Sequence, residues 1–345
     1  MYPRLATIAE GVYAQGMSKH LGQFLDDLDA AGELARISAP VSPLLEITEF
    51  SQRMALNKAA QPSQYAAAFD PDHADLGGHA LLFDNVTGSD FPLAINVFGS
   101  YSRMERALGC HANGGLAAIA DKIAALTRPE RPTSVRDLFE KARQFLSLLR
   151  LGPKRVRHGI CQECVRLTSN GEVDLTRLPI LKCWPLDGDP QGVGIDMTPD
   201  AAGTAQGEGR FITFAGIHTI HADDRNAKRP SSHNVGMYRS QLLDETHLAM
   251  HWHMHHDGAS HWRSWKRLGQ PMPIALCFGG ESVMPYAATA PLPPGISELL
   301  MAGYLNGRGI PMVPAKTVPL RVPANSEIVI EGYVSTACGE IDWDP

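Results

Sequence analysis

The apolar positions at the start of the chain follow helical spacing. Residues 17–36 predict an amphipathic surface helix, whose apolar face would consist of Leu21, Phe24, Leu25, Leu28 and Ala31. Ser42 followed by Pro43 is a favourable N-cap and first-turn pair, so a second helix is predicted from there to about Asn57.

The pattern then alternates between strands and helices. Strands are predicted at 79–84 and 92–98, and helices at 100–109 and 115–126. This alternation predicts a small α/β domain over residues 1–126. Ser134-Val-Arg-Asp137 has the form of a capping box, and it predicts a helix within a connector over residues 127–155.

Beyond the connector, short strands are broken by glycine and proline. This texture predicts a second domain at 156–345, a β-barrel with few helices, one at 258–268 and another at 295–306. The predicted strands are 156–167, 180–184, 210–221, 273–278, 327–334 and a central pair in 233–257. The whole chain is therefore predicted to be an α+β protein.

Composition limits the function classes. A net charge of −6 does not favour nucleic-acid or polybasic membrane binding, and no apolar run is long enough to cross a bilayer. The start of the chain lacks the pattern of a secretory signal, and six thinly spread cysteines suit reduced thiols better than a disulfide framework. These features predict a cytoplasmic protein.

Residues 233–257 hold the densest candidate chemistry. Strand periodicity there predicts one apolar face and one face bearing His251, His253 and His255. A single histidine is more often structural than a ligand, but several within six residues favour coordination. No glutamate stands beside a histidine as in a HExxH hydrolase, although a histidine-rich metal-binding hydrolase stays open as an alternative.

Three further side chains have two interpretations each. Glu298 either complements the dipole of its helix or joins Asn234 and His255 in an oxygen-rich set suited to Mn²⁺ or Mg²⁺. Arg239 either forms a surface ion pair or, among apolar neighbours, binds a substrate carboxylate bidentately.

Several segments resemble the UbiD family of decarboxylases, in the order in which that family has them. They are INVFGSYSRMERALG, LPILKCWPLDGDPQ, the segment from Asn234 to Arg239, MHWHMHHDGA, ATAPLPPGISE and VPANSEIVIEGYV. The resemblance implies a small N-terminal α/β domain and a split β-barrel like that of flavin reductases. It also implies prenylated FMN, Mn²⁺ or Mg²⁺, potassium, a small carboxylic acid substrate, and a flavin prenyltransferase as cofactor supplier.

The resemblance also assigns site residues. Asn234, His255 and Glu298 correspond to the family's metal ligands, and Arg239 to its catalytic arginine. The segments that correspond to its cofactor contacts contribute Met237, Tyr238, Arg239, His251, Trp252, His253, His256 and Asp257. Family members often carry other residues where this chain has His253, Met254 and His256.

One family motif is not matched. An acid motif is expected after the strand at 327–334, whereas this sequence continues as STACGEIDWDP. The sequence therefore predicts a truncated or subunit form that needs a complementing chain or a homo-oligomer, and has little activity alone. A non-catalytic accessory subunit that binds flavin and metal is the second hypothesis.

Overall fold

The computed structural model describes residues 17–127, 151–188, 208–292 and 296–337. Within them the chain is a mixed α+β protein. The predicted helix of the 127–155 connector lies outside the described residues, and the boundaries 1–126, 127–155 and 156–345 remain predictions.

The N-terminal part is built on a three-stranded mixed sheet. Strand β1 (Leu34–Ile37) pairs parallel with β2 (Ala80–Phe83), which pairs antiparallel with β3 (Leu93–Ile95). All four residues of β2 are buried, as expected for a central strand covered on both faces. The predicted strands at 79–84 and 92–98 therefore form, in shorter versions, while β1 was missed because it follows the first helix within the segment predicted to be helical.

Four helices accompany this sheet. They are α1 (Leu21–Ala30), α2 (Glu46–Ala55), α3 (Tyr101–Ala107) and α4 (Gly115–Thr127). Phe24 and Leu28 of α1 are buried against the sheet, as the amphipathic pattern predicted.

The predicted start of the second helix was wrong. Ser42 does not cap it: its hydroxyl accepts from the backbone N–H of Leu44 at 3.1 Å, and the helix begins three residues beyond Pro43. Its N-cap is Leu45, which has a φ of 68°. The carboxylate of Glu46 accepts from the backbone N–H of Ser42 at 2.8 Å, so a local turn precedes the helix.

The described residues of the C-terminal part form three sheets. The largest has the order β13–β10–β6–β7, made of β6 (Gly216–Thr219), β7 (Asn234–Met237), β10 (Met272–Gly279) and β13 (Ser326–Val334), all antiparallel. A second joins β4 (Lys154–Arg155), β11 (Pro311–Pro314) and β12 (Arg321–Pro323). The third joins β5 (Phe211–Ile212), β8 (Ser240–Leu242) and β9 (Leu248–Met250).

Where the structure describes this part of the chain, three helices lie among the strands: α5 (Asp257–Arg267), α6 (Met284–Ala288) and α7 (Glu298–Asn306). Helices α5 and α7 confirm the two helices predicted at 258–268 and 295–306. Leu299, Met301, Ala302 and Leu305 of α7 are buried in one cluster with Val235 of β7. This cluster fixes the start of α7 beside the start of β7.

Three predicted strands were wrong. The segment 180–184 forms only isolated β-bridges, and the strand predicted at 210–221 and the first of the central pair are each divided into two short strands. Residues 156–167 contain a single 3₁₀ turn at Ile160–Gln162 instead of a strand. The strand predicted through the histidine run ends at Met250, and residues 254–256 turn into α5. A strand would place Met254 on its apolar face, but Met254 is 66% exposed, so the alternation of residue types did not correspond to burial. Tertiary burial, and not the local pattern, decided the conformation.

No helix within the described ranges is long and apolar enough to span a membrane. The cysteines that the structure describes (110, 161, 164, 183 and 277) are all free thiols, in line with the reduced state that the sequence suggested.

Candidate functional site

The site is centred on the junction between β7 and α7. Asn234, the first residue of β7, and Glu298, the first residue of α7, are both only 7% exposed. One carboxylate oxygen of Glu298 accepts the backbone N–H of Val235 at 2.8 Å, which sets the carboxylate beside the residue that follows Asn234. Two predicted oxygen ligands far apart in sequence are therefore close in space.

Burial raises the pKa of the Glu298 carboxyl, against the opposing effect of the Val235 N–H. A charge removed from water is costly unless it is paired, and a divalent cation would offset that cost. Amide and carboxylate oxygens are the donors that Mn²⁺ and Mg²⁺ prefer. The chemistry of Asn234 and Glu298 therefore fits the metal ion that the resemblance implies.

Tyr238 fills the space beside Asn234. Its hydroxyl accepts from the Asn234 side-chain amide at 3.5 Å and from the Gly258 backbone N–H at 3.4 Å. The ring contacts Trp252 edge to face at 6.3 Å and lies 5.0 Å from the His256 ring, centroid to centroid. Tyr238 thus links β7 to the start of α5, and burial raises the pKa of its hydroxyl.

Arg239 follows at the start of the turn into β8 and is partly buried. Its Nε–H donates to Nδ1 of His251, and the His251 backbone N–H donates to the Arg239 carbonyl at 3.1 Å. The guanidinium carbon lies 4.9 Å from the centroid of the Phe211 ring, a cation–π contact. These contacts hold a permanent positive charge in one orientation, which is what a carboxylate-binding arginine requires.

The remaining candidates lie in the turn that joins β9 to α5. His253, His255 and His256 are exposed, with the His253 ring 5.2 Å from the ring of His255 and 5.7 Å from that of His256. His256 is the N-cap residue of α5, and Asp257 is in its first turn. The His255 ring therefore contacts the His253 ring in this exposed turn, whereas Glu298 contacts the backbone next to Asn234 at the β7–α7 junction.

Met237 and Trp252 are the apolar members of the predicted cofactor contacts. Met237 packs against the cluster that contains Leu299 and Val235. Trp252 packs in the neighbouring core, and within the described residues its buried indole N–H has no acceptor. A buried donor without an acceptor is costly, so it is a candidate group for a bound ligand. Trp252 therefore also fits a site that holds a polar cofactor.

Sequence reasoning missed the polar layer behind the site. Nδ1 of His218, on β6, lies 2.9 Å from Nε2 of His233, and Nδ1 of His261 lies 2.9 Å from the Thr219 hydroxyl. Burial lowers the pKa of both His233 and His261 to about 4. These residues are scattered over 218–261, so only their pairing in space distinguishes them.

Within the described residues, no three His, Cys, Asp or Glu side chains lie close enough to share a metal ion. That observation does not concern Asn234, because an asparagine amide is not one of these four side chains.

Two family models match the chain. Residues 25–123 match the 3-octaprenyl-4-hydroxybenzoate carboxy-lyase N-terminal domain, and residues 154–341 match the Rift-related domain of the same enzyme family. An uncharacterised protein from Aquifex aeolicus is 38% identical over 329 residues, which are 95% of this chain and 57% of that protein.

Solved structures show the same fold at low identity. A vanillic acid decarboxylase from Sedimentibacter hydroxybenzoicus, in its closed form, aligns with a TM-score of 0.65 at 21% identity, over 92% of this chain and 55% of that one. An evolved dimeric form of the UbiD-class enzyme HmfF from Pelotomaculum thermopropionicum, in complex with prenylated FMN, gives 0.64 at 22% identity, over 92% and 57%. Apo 3,4-dihydroxybenzoic acid decarboxylase from Klebsiella pneumoniae gives 0.65 at 20% identity, over 92% and 54%.

The chain thus spans little more than half the length of the proteins that it matches. The two family models nevertheless follow one another along it in the order N-terminal domain, Rift-related domain. The chain belongs to the UbiD family of carboxy-lyases.

Proposed function

We propose that this chain forms the cofactor- and metal-binding part of an enzyme that reversibly decarboxylates an aromatic or α,β-unsaturated carboxylic acid. The observation that carries the proposal is the buried contact between the Glu298 carboxylate and the backbone beside Asn234. Family membership supports the reaction class, and a related structure that holds prenylated FMN supports the cofactor. The C-terminal part is proposed to be a split β-barrel.

Asn234, His255 and Glu298 are the proposed ligands of Mn²⁺ or Mg²⁺. The exposed turn at 253–256 would bring His255 to the ion. The contact of the Glu298 carboxylate with the Val235 backbone, next to Asn234, supports pairing the other two ligands. Met237, Tyr238, Arg239, His251, Trp252, His253, His256 and Asp257 are the proposed cofactor contacts. A potassium ion belongs to the same proposal.

Prenylated FMN, when bound, supplies an electron sink for the charge that remains when CO₂ departs. The protein supplies position and charge. Arg239 is the proposed carboxylate-binding group. Its Nε–H donates to His251, and its guanidinium group lies over the Phe211 ring. In this proposal the two terminal nitrogens of the guanidinium bind the substrate carboxylate bidentately. A guanidinium in a partly buried site binds a carboxylate more strongly than one in water.

The metal site is tested by loading. The chain is purified after co-expression with a flavin prenyltransferase, and its flavin absorbance and metal content are measured. We expect about one Mn²⁺ or Mg²⁺ per chain together with flavin absorbance. Removal of a group that only supports a metal ligand typically weakens binding about 10-fold to 100-fold. Glu298→Gln removes a proposed ligand itself, so it should weaken Mn²⁺ binding by at least that much.

Glu281→Gln is the matched control. Glu281 is also buried and hydrogen-bonded, to the Asn325 side chain at 2.9 Å, but it has no contact with Asn234. Zinc without flavin in the wild-type chain would contradict the proposal and favour a histidine-rich metal protein instead. Equal Mn²⁺ binding by Glu298→Gln and the wild type would remove Glu298 from the ligand set.

The proton donor is proposed to come from outside residues 1–345, either from further residues of the same protein or from a partner polypeptide or another copy. The residues after β13 do not match the family's acid motif, so slow turnover is expected when the 345-residue chain is reconstituted alone under anoxic conditions. Addition of a complementing chain should restore turnover. Rapid turnover by the chain alone would contradict this part of the proposal, and flavin binding with no turnover under either condition would favour an accessory subunit.

A further inference from the structure

The N-cap of α7 makes a contact that capping does not require. Ser297 accepts the backbone N–H of Leu299 at 3.3 Å, as an N-cap serine does. Its hydroxyl also donates to the backbone carbonyl of His233 at 2.7 Å, the residue immediately before Asn234. The next residue, Glu298, accepts the N–H of Val235, immediately after Asn234. The N-cap and the first residue of α7 therefore hold the backbone on both sides of Asn234.

Strand geometry explains why these groups are available. Strand β7 is the outer strand of its sheet in the part of the chain that the structure describes, with β6 on one side only. Asn234 and Gly236 lie opposite Thr219 and Ile217 of β6. The carbonyl of His233 and the N–H of Val235 point away from that sheet, because alternate residues direct their polar groups to opposite sides of a strand. Unpaired edge groups need partners, and the start of α7 provides both.

The consequence concerns the distance between two metal ligands. Asn234 lies between the His233 carbonyl, which accepts from Ser297, and the Val235 N–H, which donates to Glu298. Both hydrogen bonds are short and lie in a largely buried place, where such bonds are strong and well oriented. Movement of α7 relative to β7 would separate the amide from the carboxylate, and the Ser297 bond opposes that movement.

We propose that Ser297 is a positioning residue of the metal site, whose hydroxyl fixes the Asn234 backbone against the start of α7. This inference rests on the proposed function, because it takes Asn234 and Glu298 as metal ligands. Ser297 itself is not a ligand in this arrangement. Its hydroxyl acts only through the hydrogen bond to the His233 carbonyl. Removal of the hydroxyl should therefore weaken metal binding while α7 remains helical.

The variants separate positioning from capping. Glycine at an N-cap costs a helix only a few tenths of a kcal/mol relative to serine, so Ser297→Gly removes the hydroxyl with little loss of capping. Ser297→Thr keeps a hydroxyl that can donate and accept. Ser297→Asp keeps a capping oxygen but has no hydrogen to donate, and its negative charge by itself would strengthen cation binding.

The matched control is Ser100→Gly. Ser100 is the N-cap of α3, where it accepts the backbone N–H of Arg103 at 3.2 Å, and it lies in the N-terminal part of the chain. The measurement is Mn²⁺ affinity by calorimetric titration of each purified chain, with a thermal melt to confirm folding. Neither readout depends on turnover.

We expect Ser297→Gly to bind Mn²⁺ roughly 10-fold to 100-fold more weakly than the wild type, as supporting partners of metal ligands do. Ser297→Thr should bind close to wild type, Ser297→Asp more weakly despite its charge, and Ser100→Gly like wild type. Wild-type affinity in both Ser297→Gly and Ser297→Asp would overturn the inference, as would equal losses in Ser297→Gly and Ser100→Gly. A wild-type chain that binds no Mn²⁺ would instead overturn the metal site of the proposed function, and the inference with it.

Discussion

Tyr238 and Trp252 occupy the space that side chains at two nearby glycines would need. A Cβ atom on Gly236 would lie 2.3 Å from the Tyr238 hydroxyl oxygen, and one on Gly258 would lie 2.7 Å from the indole nitrogen of Trp252. The tyrosine has little freedom to move away, because its ring lies against His256 and Trp252 and its hydroxyl accepts from Asn234 and Gly258. At the scale of single residues, the site depends on two positions without side chains.

Gly236→Ala should therefore disturb the site from within. The new methyl group would displace the Tyr238 ring, and overpacking of this kind costs about 1–3 kcal/mol. We expect a lower free energy of unfolding in urea and weaker Mn²⁺ binding, since the amide of Asn234 loses its partner. Gly332→Ala in β13 is the control, because a Cβ there would meet nothing within 4 Å. Equal unfolding free energies for both variants would show that the tyrosine yields easily.

At the scale of elements, α5 is held on the end of β6 and the residues that follow it by hydrogen bonds as well as by packing. Nδ1 of His261 lies 2.9 Å from the Thr219 hydroxyl, the Ala222 N–H donates to the Ser264 hydroxyl at 2.9 Å, and the Trp265 indole N–H donates to the Ile220 carbonyl at 2.8 Å. Thr219 lies opposite Asn234 in the sheet, so these hydrogen bonds from α5 support β6 directly beside the start of β7.

His261 makes the attachment of α5 to β6 sensitive to pH. Burial, together with the nearby rings of His221 and His233, lowers its pKa from 6.5 to about 4, opposed by Asp224. Between these two values the unfolded chain binds a proton that the folded chain does not. Stability from this group is therefore complete above pH 6.5 and is lost as the pH falls towards 4, by on the order of 3 kcal/mol in total.

The test compares urea unfolding of His261→Gln with wild type between pH 7.5 and pH 5. We expect the wild type to lose more stability than the variant over this range, because glutamine does not titrate. Parallel curves for wild type and His261→Gln would be inconsistent with a neutral buried imidazole.

At the scale of the whole molecule, a stack of three aromatic rings joins the N-terminal and C-terminal parts. The Phe98 ring, just after β3, stacks on Phe24 of α1 at 5.3 Å and on Phe214, between β5 and β6, at 5.5 Å. An ion pair between Asp90 and Arg177 crosses the same junction, with both side chains about half exposed. The two contacts are chemically different, and so should be their contributions to stability.

Phe98→Ala should destabilise the chain by about 1–3 kcal/mol, below the cost for a fully buried phenylalanine because Phe214 is half exposed. Asp90→Ala should destabilise the chain less than Phe98→Ala does, since an exposed ion pair is well solvated. Thermal or urea unfolding of both variants measures the difference. A larger loss for Asp90→Ala would mean that charge, and not ring stacking, holds the junction.

Sequence patterns predicted those elements whose burial is regular along their length. Helices α3, α5 and α7 and strands β10 and β13 lie where periodicity and end signals placed them. The histidine run misled because alternation of large apolar and polar residues predicts a strand only if the apolar side chains reach a core. Trp252 packs in one, but Met254 does not.

The sequence by itself determined the family, the order of its two matched regions and the identities of the candidate ligands, because these are properties of short local motifs. Tertiary structure decided that Ser297 meets the His233 carbonyl and that Glu298 meets the Val235 N–H, across separations of 64 and 63 residues. It also decided that His218, His233, Thr219 and His261 form the polar layer behind them. Such contacts depend on which backbone N–H and carbonyl groups of β7 remain unpaired once the sheet is assembled. The pattern of apolar and polar residues along the sequence does not contain that information.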